Sequence, residues 1–190
     1  KINFTQAQAE AVCAEAKLQG LRCVVHAIAA DAIIGAVKAG ASEIEHGGQA
    51  DDAAIRAMAD ANVFFNPTIS WPAIALDHRE ELIAFSRYDA RSWAAIEEAV
   101  PRLRTVFQKG LAAGLRMPIG SDILVFGHGE NAREIILRVG AGQKPMDAII
   151  SATSLAAESL GLEKKIGTIA PGYEADIIAV AGDPIQDISA

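Results

Sequence analysis

The sequence predicts an α/β protein: about four strand–helix units of a parallel, TIM-like (β/α)8 barrel, followed by a short β element of different character. Three observations predict it. Apolar runs of strand length alternate with helix-like segments that close on glycine or asparagine, which is the pattern of βαβ units. Two of these runs end in histidine, Leu21-Arg22-Cys23-Val24-Val25-His26-Ala27 and Ala41-Ser42-Glu43-Ile44-Glu45-His46-Gly47. The step from His26 to His46 is 20 residues, the size of one barrel unit at about 20 residues. Beyond residue 162 the alternation gives way to a strand–turn–strand pattern.

Each element follows from local chemistry. Thr5-Gln6-Ala7-Gln8 is a capping box, opening a helix that Gly20 ends. The strand bearing His26 comes next, then a helix over 31–39 stopped by Gly40, then the strand bearing His46. Asp51 and Asp52 open a helix through Ile55 and Met58, favoured by negative charge at its start. Residues 63–68 form a third strand, which Pro67 terminates. Residues 69–88 depart from the alternation. Trp71-Pro72 predicts a break, Leu82, Phe85 and Tyr88 fall at helical spacing, and an insertion here is expected to cover the barrel mouth. A long helix over 89–113 should kink at Pro101. A fourth strand over 116–122 ends at Asp122, and helices follow over 131–139 and 145–160, the latter with Pro145 in its first turn. The tail reads as a strand then a turn over 166–173 and a second strand over 175–180, closed by Gly182-Asp183-Pro184 and expected to stay out of the barrel sheet. Four strands cannot close a barrel of ~250 residues, so the chain reads as the second half of a larger fold.

Composition narrows the function. With 190 residues, 51% apolar, and a net charge of −7, the chain can bury a core. It lacks the basic stripe that nucleic acid demands. No window approaches the ~18 apolar residues of a membrane span, and Lys1-Ile2-Asn3-Phe4 runs into a helix cap without a signal peptide. Lys1 in place of an initiator methionine suggests that an upstream part is absent. Cys13 and Cys23 sit in apolar contexts and read as buried reduced thiols of a cytoplasmic protein. A small-molecule substrate is the partner this balance suits.

Histidines at the carboxyl ends of neighbouring parallel strands face one mouth and can grip one divalent ion. Imidazole is a common zinc ligand, and catalytic zinc keeps a position open for water. Either histidine alone is as readily a strand-end residue, but the shared spacing and register favour a pair. Asp122, after Ile119-Gly120-Ser121, would face the same mouth as a ligand and as general base toward the metal-bound nucleophilic water. His128 is a candidate substrate contact, although a loop histidine is more often solvated. Asn66 and Thr68 could offer substrate hydrogen bonds. His78, among Asp77, Arg79, Glu80 and Glu81, reads as part of a solvated charged face. Glu43 and Glu45 flank His46, and alternation turns Glu45 away from it.

Val25-His26-Ala27, Ile44-Glu45-His46-Gly47, Asn66-Pro67-Thr68 and Gly120-Ser121-Asp122 together resemble the carboxyl half of the amidohydrolase superfamily, in its imidazolonepropionase-like and prolidase-like branch. The tail resembles it too, in Ile166-Gly167-Thr168-Ile169-Ala170-Pro171-Gly172 and Ala175-Asp176-Ile177-Ile178. The resemblance implies a partial metal-dependent hydrolase barrel over residues 1–162 and part of a small β-sandwich over 163–190. It implies a hydrolase of amide or cyclic C–N bonds, such as Xaa-Pro or other dipeptides or N-acyl amino acids. One or two divalent ions, zinc by expectation, would serve it, with His26, His46 and Asp122 as ligands and Asp122 as proton shuttle. The family's His-x-His pair and bridging modified lysine have no counterpart in these residues and are expected upstream, so the chain alone is expected to be inactive. The alternative is a non-catalytic half-barrel that associates with its missing amino-terminal half or with another copy as a homo-oligomer, because unpaired strand edges and half-buried apolar faces call for a partner.

Overall fold

Val24–Ala29 (β1), Glu43–Gln49 (β2) and Phe64–Asn66 (β3) lie side by side as a parallel sheet in the order β1-β2-β3. The computed structural model describes residues 3–85, 88–123 and 127–190, with Phe85 by its backbone alone. The fold is α/β, and the chain divides into two compact units, Lys1–Pro67 with Thr105–Met117, and Thr68–Arg104 with Pro118–Ala190.

The first unit follows the predicted alternation closely. Helix α1 (Gln6–Leu18) opens on the expected capping box: the Gln8 amide donates to Thr5 Oγ1 at 3.2 Å and the Thr5 amide donates to Gln8 Oε1 at 2.9 Å. Gly20, at φ 70°, ends it. Helix α2 (Ala30–Lys38) buries Ile33 and Ala36, and α3 (Asp52–Asp60) buries Ala54, Ile55 and Met58. Asp51 caps α3 by accepting the Ala54 amide at 2.8 Å. Ile33, Ile44, Met58, Phe65 and Phe107 are fully buried, each contributing about 1.5–3 kcal/mol.

Two expectations for this unit are corrected. Cys13 and Cys23 are not reduced thiols but a disulfide, with Cα atoms 5.2 Å apart. A short connection folds α1 back on the start of β1, which brings both cysteines within bridging reach. The fourth strand predicted over 116–122 does not form as a regular strand either among the described residues, although Phe65 N donates to Arg116 O at 2.9 Å. Pro118 has no N–H to offer a ladder.

In the second unit, Trp71-Pro72 does not break the chain. Both residues lie in the first turn of α4 (Ser70–Asp77), where proline costs no helical hydrogen bond. After α5 (Arg79–Phe85), the helix α6 (Ala90–Ala112) runs unbroken through Pro101 and continues into the first unit. Ala75, Leu82, Trp93 and Ile96 form a core cluster, with Trp71, Leu76 and Tyr88 packed against it. The Phe85 side chain, predicted to share a face with Leu82 and Tyr88, lies outside the described residues.

Helix α7 (Arg133–Gly140) is followed by α8 (Pro145–Ala152) and α9 (Ser154–Ser159) where one helix was expected. Thr153 interrupts them at φ −125° and ψ −97°, with its hydroxyl donating to Ile149 O at 2.7 Å. Residues 163–190 carry turns, and the two strands predicted within 166–180 do not form among the described residues. A strand must hand its N–H and C=O groups to a neighbour, and the sheet includes neither tail segment. Ile169, Ile177 and Ile178 are accordingly exposed.

Candidate functional site

The two histidines of the first unit come together. Their rings stand edge to face with centroids 4.5 Å apart and planes at 64°. The matched register expected from the sequence is off by one: His26 pairs with Glu45, and His46 with Ala27. Strict alternation would then turn His46 to the face opposite His26. The backbone breaks that alternation. His46 adopts φ 68°, in the left-handed region, and the ladder slips between Ala27 and Ala29.

Left-handed backbone recurs at the functional candidates. Thr68, just past β3, has φ 46°, and Asp122 has φ 50°. Asn62, the remaining non-glycine residue with positive φ in the described chain, ends α3, a position where asparagine commonly adopts it. His46, Thr68 and Asp122 end no helix. Residues held this way cost of order 1–3 kcal/mol and cluster at active sites.

Asn66 ends β3 and is buried, with no hydrogen-bond partner for Oδ1 among the described residues. A buried acceptor left open in this way is rare. Asp122 lies in the second unit and is exposed, next to buried Ser121, whose Oγ accepts a bond from Asn131 Nδ2 at 3.0 Å. His128 is exposed on a turn between Gly127 and Gly129, and Phe126 before it lies outside the described residues.

Two groups of residues were missed in sequence. His78 is not simply solvated: Nδ1 lies 2.6 Å from Glu81 Oε2 and Nε2 lies 2.5 Å from Glu130 Oε1. Glu130 also binds Arg133 at 2.6 Å, and Arg133 binds Asp77 at 2.7 Å. The bonds to Glu130, then to Glu81, raise the His78 pKa above its ordinary 6.5. Arg133, then His78, hold the Glu130 carboxyl below its ordinary value. Nothing in the local sequence pairs positions 78 and 130.

The second group is Glu134 and Arg138 on α7, both fully buried. Arg138 Nε donates to Glu134 Oε1 at 2.7 Å, and an Arg138 Nη donates to Pro118 O at 2.9 Å. Glu134 also accepts the amides of Ile69 at 3.2 Å and Ser70 at 2.7 Å, capping α4 where its own N-cap residue offers no side chain. The i,i+4 spacing was legible, but such a pair usually sits in solvent.

Among the described residues, no three His, Cys, Asp or Glu side chains assemble into a metal cluster. The donor set brought together is the His26–His46 pair. The strands run on past both histidines, to Ala29 and Gln49, so the pair sits mid-strand rather than at the strand ends the sequence suggested. Two imidazoles on adjacent strands still fit two positions of a tetrahedral zinc, which needs at least one ligand more.

Comparison with known proteins agrees with this architecture. Ochratoxinase from Aspergillus niger is 28% identical over 187 residues, covering 97% of this chain and 38% of that protein. The crystal structure of a Xaa-Pro dipeptidase with bound methionine in the active site is 35% identical at a TM-score of 0.87, covering 98% of this chain and 45% of the other. That of a prolidase complexed with N-methylphosphonate-L-proline is 28% identical at a TM-score of 0.89, covering 98% and 44%. The chain therefore spans less than half the length of these relatives. The model of the Amidohydrolase family matches residues 1–190, and the chain belongs to that family.

Proposed function

We propose that this chain supplies the carboxyl-terminal share of a metal-dependent hydrolase of amide or cyclic C–N bonds, with Xaa-Pro or other dipeptides and N-acyl amino acids as its substrate class. The observation that carries the reading is the His26–His46 ring pair, 4.5 Å apart, on the adjacent parallel strands β1 and β2. In this reading residues 1–162 contribute to a (β/α)8 barrel and residues 163–190 to a small β-sandwich.

A divalent ion, zinc in our reading and one or two in the whole protein, would be held by His26, His46 and Asp122 and would supply Lewis acidity and a lowered water pKa. Asp122 takes the proton of the attacking water and returns it to the departing nitrogen. Asn66 accepts a substrate N–H through its open Oδ1, and His128 contacts substrate from the loop.

Exposed apolar residues on β1 and the tail, with Val24 at 50% and Ile178 at 86%, support association with further strands or a second copy. They equally suit a non-catalytic half-barrel. No described helix is long and apolar enough to cross a membrane. The cytoplasmic expectation rested on free thiols, and the Cys13–Cys23 disulfide favours an oxidising compartment instead.

The test is hydrolysis of a panel of Xaa-Pro dipeptides and N-acyl amino acids by the full protein, with and without zinc. Turnover should require the ion and fall at least ~100-fold in His46→Ala, with zinc affinity falling in parallel by calorimetry. Turnover indifferent to chelation and to His46→Ala would sink the proposal.

A further inference from the structure

Glu134 and Arg138 are fully buried, and a buried ion pair is a poor source of stability, because desolvation of both charges offsets their attraction. The hydrogen bonds they make suggest another use. Glu134 holds the amides of Ile69 and Ser70, directly after Thr68. Arg138 holds the carbonyl of Pro118, which begins the segment leading to Asp122. Among the described residues of this unit, Thr68 and Asp122 are the two that keep a left-handed backbone without glycine. Such conformations persist only where the surroundings over-determine them.

We infer that Glu134 and Arg138 are positioning residues, a buried brace that fixes the segments bearing Thr68 and Asp122 relative to each other for the hydrolytic reaction. The inference rests on the proposed hydrolase reading. Neither side chain touches substrate. Glu134 spans two amides through its two oxygens, and Arg138 spans Glu134 and Pro118 through two different nitrogens of its planar fork. A lysine at 138 would keep the charge and lose that span.

The experiment compares Glu134→Gln and Arg138→Lys with the wild-type full protein, by steady-state kinetics with zinc and by amide hydrogen exchange. A variant that folds should lose at least tenfold in kcat while KM changes less than threefold. The Ile69 and Ser70 amides should lose protection in Glu134→Gln while amides of β1 and β2 keep theirs. Arg138→Lys should not restore kcat even where its melting temperature matches the wild type. A brace serving stability alone would leave kcat untouched below the melting transition, and that result, in either variant that folds, overturns the inference. So does unchanged protection at Ile69 and Ser70 in Glu134→Gln. If both variants fail to fold, stability is the pair's dominant role and the inference is overturned as well. A wild type without turnover on any amide overturns the hydrolase reading beneath it, an outcome distinct from variants that match an active wild type.

Discussion

Gly47 follows His46 at φ 57°, and a Cβ built there would lie 2.5 Å from Phe65 Cε2. Phe65 is fully buried, so its ring has nowhere to retreat. Gly47→Ala should therefore destabilise the protein by about 2–4 kcal/mol, combining left-handed strain with overpacking; thermal denaturation measures it. An unchanged melting temperature would mean that β2 slides away from Phe65 at little cost. At this scale the sequence exposed the pairing of His26 with His46 and the end of β3 at Asn66, because apolar runs and one βα repeat are read locally, but not that both histidines sit mid-strand. It did not expose the left-handed backbone of His46 and Thr68. Histidine visits that region more often than most residues but β-branched threonine does not, and in both cases the surrounding fold imposes it.

Among elements, the disulfide joins α1 to the start of β1 across a sequence separation of 10. Cys13→Ser with Cys23→Ser should cost about 2–3 kcal/mol, chiefly by freeing the unfolded chain. Urea denaturation of wild type under oxidising and reducing conditions, beside the double variant, should show the reduced protein matching the variant.

His78 links the α4–α5 turn to the loop bearing Glu130, with Glu81, Arg133 and Asp77 as the other charged groups around it. Its pKa is raised on folding, so this link is fully formed below pH 6.5 and is lost as pH rises through the folded value. Glu130 is shifted down, so its share is present above its ordinary 4.5 and is lost as pH falls through its folded value. Together they make the link strongest between those two ordinary values. Proteolytic nicking of residues 127–132 should accelerate as pH is raised from about 6 to about 9, and His78→Ala should remove that acceleration. Equal acceleration in both proteins would show that the loop is held elsewhere.

For the whole molecule, purified chain of these 190 residues should show no substantial hydrolase activity. Catalytic zinc usually takes three protein ligands, and the described residues assemble no cluster of three His, Cys, Asp or Glu. In the proposed reading other residues complete the barrel, and without them a developing oxyanion would stay open to water, where its stabilisation is weak. The dipeptide and N-acyl amino acid panel with added zinc is the assay. Robust turnover abolished by His46→Ala would show that the residues present suffice.

The sequence by itself determined the alternation of strands and helices, the capping of α1 and α3, and the histidine pair. Each is written within a few residues, through side-chain period, cap chemistry or one repeat of the βα unit. The tertiary structure decided what depends on partners distant in sequence. Glu134 meets the Ile69 amide 65 residues away and His78 meets Glu130 across 52, and no local pattern encodes such distances. The tail shows the converse: Ile177 and Ile178 carry strand-forming side chains, but with no neighbouring strand among the described residues to take their backbone groups the propensity stays unexpressed.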